Sequence, residues 1–130
     1  MRDRPNGADL LAIAREVLAK EVTPIVSEQA RVTALMIASA LAIAQRELAA
    51  GDVALRAELA ALAAVYREPQ AAADARALDD ALLRLNRRLA ADLRQGTIVD
   101  AERRSAVYRL LLKSTRARVA ESNPKYLENA

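Results

Sequence analysis

Val32–Ala44, VTALMIASALAIA, is a run of 13 residues without a charge, closed by Arg31 on one side and Gln45-Arg46-Glu47 on the other. Read as a helix, it carries Val32, Leu35, Met36 and Ile43 on one side and Ile37, Leu41 and Leu48 on the other. Ala34, Ala38 and Ala42 form a smooth row between the two stripes. A helix with two apolar sides is expected to be covered on both, one of them by a second chain. The run is too short for a bilayer span, which takes about 20 residues. The expectation is therefore a buried helix at the centre of a cytoplasmic protein, with no membrane contact.

Outward from this run, glycine and proline punctuate the sequence sparingly. Pro5, Gly7, Pro24, Gly51, Pro69, Gly96 and Pro124 all fall between apolar-periodic segments. They delimit five helices. The first covers about 8–22, with Leu10, Leu11, Ala14, Val17 and Leu18 on one face, and ends at Thr23-Pro24. The second starts after Ser27 and runs to about Ala50, with Gly51 as its stop. Asp52 caps the third, which carries Leu55, Leu59, Leu62 and Val65 or Tyr66 as far as Pro69. The fourth spans roughly 71–94, where Ala71-Ala72-Ala73 is a good start and Leu78, Leu82, Leu85, Leu89 and Leu93 form a clean stripe. The fifth follows Asp100 to about Glu121, and Asn123-Pro124 stops it.

The expected architecture is all-α: one domain over 1–130, a bundle of about five helices around the Ala-rich helix at about 28–50. No linker is expected, and short flexible ends are expected at 1–7 and 124–130. With Phe and Trp absent and alanine abundant, the core has few bulky anchors. That favours completion by a partner copy, and the expectation is a homodimer.

Composition also removes chemistries. The chain has no cysteine and no histidine, so thiolate catalysis, Ser-His-Asp triads and His- or Cys-based metal sites are absent. Three isolated glycines make no phosphate loop. No metal, no cofactor and no enzyme activity is expected. The net charge of +3 is uneven: residues 1–83 hold nine basic and twelve acidic residues, and 84–118 hold ten and three. Any acidic partner must therefore meet the C-terminal half.

Two polar groups are candidate contacts. Ser39 and Arg46, seven residues apart and so on one face, lie with Glu47 on the central helix. They offer a ligand or partner contact at a bundle mouth, or else a serine bonded back to its own helix and a solvated helix end. Arg84, Arg87 and Arg88 belong to the basic half but sit opposite the leucine stripe, as an ordinary solvated face does. Arginines on the fifth helix spread all round, and only Tyr66, Tyr108 and Tyr126 are aromatic, so nucleic acid is set aside.

Several short pieces together carry a resemblance: Arg4-Pro5, Leu10-Leu11, Glu21 with Pro24, ALAIAQREL at 40–48, Leu85-Asn86 with Leu89-Ala90, and Asn123-Pro124-Lys125-Tyr126. In these the chain resembles a family of small bacterial helical proteins that carries only a domain-of-unknown-function label. The resemblance implies neighbours: a phosphotransferase resembling aminoglycoside kinases, and acyl-CoA dehydrogenase-like enzymes. It thus implies a non-enzymatic accessory protein to a kinase-like or acyl-CoA-handling enzyme; the alternative is a bundle binding an acyl or anionic metabolite beside Ser39 and Arg46. The family tends to have Asn where Ser39 stands and Arg where Leu35 stands, so any contact made there is remodelled in this chain. Arg4, Pro5, Asn123, Pro124 and Tyr126 are the pattern residues at the two ends, and the bland reading of Tyr126 is that it packs back on the bundle.

Overall fold

The computed structural model describes residues 5–69 and 71–128. Among them there is no strand, and the chain is all-α, with five helices of seven residues or more and one short one. These are α1 (Gly7–Val17), α2 (Glu28–Ala50), α3 (Val53–Tyr66), α4 (Ala75–Gln95), α5 (Ala101–Ser122) and α6 (Pro124–Glu128); a π-helical turn, Leu18–Val22, extends α1. Short polar side chains set the starts. Asn6 and Asp9 form a reciprocal capping box at α1, both bonds 3.0 Å. Ser27, Asp74 and Asp100 accept from the backbone N–H of Ala30, Ala77 and Arg103.

Two boundaries differ from the sequence reading. α4 begins after Asp74, and Ala71–Ala73 lie outside it, because the carboxylate at Asp74 outbids alanine propensity as a start signal. Asp52 precedes α3 but does not cap it; its carboxylate takes Arg56 one turn on, at 2.7 Å. The segment after Asn123 turns into α6, with Pro124 at the first helical position where its missing N–H costs nothing.

The chain divides into two compact units, Met1–Gly51 and Asp52–Ala130. In the first, α1 lies antiparallel on α2: Gly7 meets Leu48 near the far end of α2, and the Arg15 guanidinium donates to the Gln45 side-chain oxygen at 2.7 Å. The contact face of α2 is its alanine row, with Ala34 and Ala42 buried and Ala38 half-buried. No large side chain of this unit is buried among the described residues.

The second unit holds the core. Leu59, Leu62 and Tyr66 of α3 meet Leu78, Leu82, Leu85 and Leu89 of α4, with Ile98 and with Val107 and Leu110 of α5. The α4 stripe is the one the leucine spacing predicts, except that Leu93 at its end is half-exposed.

The expectation that the fold is built around residues 28–50 is therefore corrected. Alanine side chains let α1 approach closely, so the smooth row becomes the contact and the two large stripes flank it. Val32, Leu35 and Met36 are exposed on one flank, Ile37 and Leu48 on the other. The 13-residue run also sits in a longer element. Glu28–Ala50 is 23 residues and holds an 18-residue window with a mean hydropathy of 1.4, long and apolar enough by length and composition to cross a bilayer.

Leu85, with no exposed surface, and Leu93 give a contrast. Leu85→Ala is expected to cost about 2–5 kcal/mol in urea unfolding, and Leu93→Ala under about 1 kcal/mol.

Candidate functional site

Of the polar candidates on α2, Ser39 is satisfied within its own helix. The Ser39 hydroxyl donates to the Leu35 carbonyl at 2.9 Å, one turn back. It lines an open apolar groove with Val32, Leu35, Met36, Ala40 and Ile43, and this groove does not include Arg46. Arg46 is half-buried, and Glu47 is exposed at the helix end, its carbonyl accepting from Gly51.

The arginines of α4 divide by role. Arg84 and Arg88 both reach Glu68, just beyond α3, while Arg87 is exposed. The hydrogen bond from Arg88 is the main reason the Glu68 carboxyl is held below its usual range. Arg88 also lies over the Tyr66 ring, 4.1 Å from its centroid, and Arg103 of α5 stands at 5.2 Å. The Tyr66 hydroxyl donates to Asp92 at 2.8 Å. Burial first, then that hydrogen bond, push the Tyr66 phenol up to about 12. The buried Arg103 Nε has no acceptor, and its guanidinium is turned toward the aromatic ring instead. Chemically this cluster is a clamp: Tyr66 of α3 is held by Asp92 and Arg88 of α4 and by Arg103 of α5. Arg67, which ends α3 in the left-handed region at φ 53°, lines the cleft beside it.

Sequence reasoning missed a second polar knot. Glu58 of α3 is buried, and its carboxylate accepts from Asn86 of α4 at 2.8 Å and from Arg118 of α5 at 3.1 Å. One charged residue ties α3, α4 and α5 together. Its signal was present: Glu58 stands three residues after Leu55 and four before Leu62, a lone acid on an apolar face. Beside it, α3 and α5 enclose an apolar cavity of about 90 Å³, lined in part by Ala57, Ala61, Leu110 and Ala117 and by Lys113 and Arg118.

At the chain ends, Arg4 lies outside the described residues. Pro5 is exposed ahead of the Asn6 cap. The Asn123 N–H donates to the Val119 carbonyl at 2.8 Å and closes α5. Tyr126 does not pack back on the bundle: it is 65% exposed, because a single-turn α6 holds its backbone to Asn123 and leaves the ring outside. No group of three or more acidic side chains that could hold a metal occurs among the described residues.

The family model described as a domain of unknown function (DUF6285) matches residues 24–126. No curated protein matches the chain, and no solved structure does.

Two measurements check these knots. Ultraviolet titration is expected to show one tyrosine ionising near pH 12, moved down toward 10 by Asp92→Asn. Because the folded value is raised, the stability tied to Tyr66 is complete below about pH 10 and lost between there and about 12. Arg118→Ala, which strips a partner from a buried carboxylate, is expected to cost about 1–2 kcal/mol in chemical unfolding.

Proposed function

The chain belongs to this family of unknown function, and we propose that it is an interaction protein without catalysis of its own, an accessory to an enzyme. The observation that carries this reading is the N-terminal unit. A helical hairpin that buries no large side chain presents Leu10, Ile13, Ile37 and Leu48 to its surroundings. Apolar surface on this scale marks a site of association. The polar clusters of the C-terminal unit add support, since Glu58, Glu68, Asp92, Arg88, Arg103 and Arg118 are committed to one another or to Tyr66. They hold helices together rather than facing a substrate. The absence of histidine and cysteine is in keeping with the same reading.

The resemblance in the sequence suggests a kinase-like or acyl-CoA dehydrogenase-like enzyme as the partner. Tagged full-length chain, expressed in its native host, is expected to co-purify with one such enzyme in stoichiometric amount, and to lose it on Leu10→Lys/Leu48→Lys. Recovery of the chain without any enzyme after cross-linking in cells would count against the accessory role.

The cavity between α3 and α5 supports a second, lesser reading, as a binder of a short acyl acid. Its apolar walls suit a few carbons, and Lys113 is a cation for the carboxylate. Short-chain fatty acids are then expected to raise the melting temperature, and Lys113→Met to abolish the rise.

A further inference from the structure

The groove on α2 carries an inference that stands whether or not an enzyme partner is found. Ser39 is the midpoint of α2, which runs from Glu28 to Ala50. At 3.6 residues per turn, Glu28, Val32, Leu35, Met36, Ile43 and Arg46 all point within about 60° of the Ser39 direction. They form one stripe along the flank of α2 next to its alanine row, and its large apolar members are exposed, Met36 at 68% and Val32 at 61%.

The stripe is self-complementary when reversed about its centre. Two copies of α2 packed antiparallel with Ser39 facing Ser39 bring residues 39+n and 39−n level. Ile43 of one copy then meets Leu35 of the other, and Val32 meets the aliphatic stem of Arg46. Glu28 falls four residues beyond Arg46, about 6 Å along the axis and within an arginine's reach. This pairs the charges nearest the centre of the stripe with opposite sign, and the two helix dipoles oppose favourably. A parallel pairing instead stacks Glu28 on Glu28 and Arg46 on Arg46, like charge on like charge.

Area agrees with this occupant. Val32, Leu35, Met36 and Ile43 each offer on the order of 100 Å² of side-chain surface to cover. With Ser39, Ala40 and the four flanking charged residues, the face approaches the roughly 800 Å² per partner of a stable interface.

We propose that this face is covered by a second copy of the chain, α2 packing antiparallel on α2 about Ser39, so that two hairpins form a four-helix bundle. The chain has no cysteine, which makes the register directly testable. Full-length protein is expected to sediment at twice its 14.1 kDa. Under oxidation Ser39→Cys forms a disulfide-linked dimer, whereas Val32→Cys does not, because its two copies lie 14 levels apart. Met36→Glu/Ile43→Glu is expected to raise the dimer dissociation constant about 30-fold or more, with helicity retained by circular dichroism. A wild-type monomer at high micromolar concentration overturns the proposal, whether the face is then found covered within the chain or bound to anionic or zwitterionic phospholipid vesicles. A dimer that ignores Met36→Glu/Ile43→Glu overturns the surface, and a Val32→Cys disulfide overturns the direction. These readouts use purified chain alone, so they succeed or fail separately from capture of an enzyme.

Discussion

The alanine row of α2 is the constraint from which the character of the N-terminal unit follows. A helix can bring its axis close to another only where side chains are small, and Ala34, Ala38 and Ala42 give α1 that approach. The close approach has a consequence for the rest of the circumference. Most bulky residues on either flank of the row stay exposed, Leu48 among them although it meets Gly7 of α1. Hydrophobic content and burial are thereby uncoupled: α2, with 13 uncharged residues in a row, carries no large buried side chain, while the strongly charged α4 carries four buried leucines.

The C-terminal unit solves a different problem. Its leucines at 62, 78, 85 and 89 supply the apolar contact, but leucine packing alone fixes the rotation of three helices loosely. Two polar knots remove that freedom. Glu58 collects Asn86 and Arg118 at one level of the bundle, and Tyr66 collects Asp92, Arg88 and Arg103 at another. Each knot joins α3 to both α4 and α5. A buried carboxylate that loses a partner is expensive, so alternative rotations of α5 are disfavoured by more than lost apolar contact.

How much of this was legible in the sequence depends on the distance over which each feature is decided. Helix positions were legible, because Pro24, Gly51, Gly96 and Pro124 act on their own neighbours, and so was the α4 stripe, because Leu78 to Leu89 repeat at the helical period opposite arginines. Features decided by competition between neighbours were only half legible: Ala71–Ala73 look like a helix start until the stronger cap at Asp74 is weighed, and Asp52 looks like a cap until Arg56 claims it. Partnerships across 28 and 60 residues, from Glu58 to Asn86 and to Arg118, were not legible, since periodicity names a face but not what meets it. The same limit explains α2: two apolar stripes were correctly read, and their burial was not, because burial belongs to the partner surface. Of the candidate site residues, Arg84 and Arg88 proved to be ion-paired to Glu68, and Ser39 to be hydrogen-bonded within its own helix.

Ser39 also removes an apparent objection to the proposed seam of apolar side chains. A hydroxyl at the centre of a covered interface would ordinarily lose its water and cost stability. This one carries its acceptor with it, in the Leu35 carbonyl of its own helix, so nothing is left unsatisfied when a second helix covers it. It is also small, which permits two helices to close to contact distance at the one point where a residue must face its own copy. A leucine there would hold the pair apart. With the Ser39 hydroxyl satisfied inside the helix and Leu35 apolar beside it, the centre of the stripe needs no polar partner, as the proposed pairing requires.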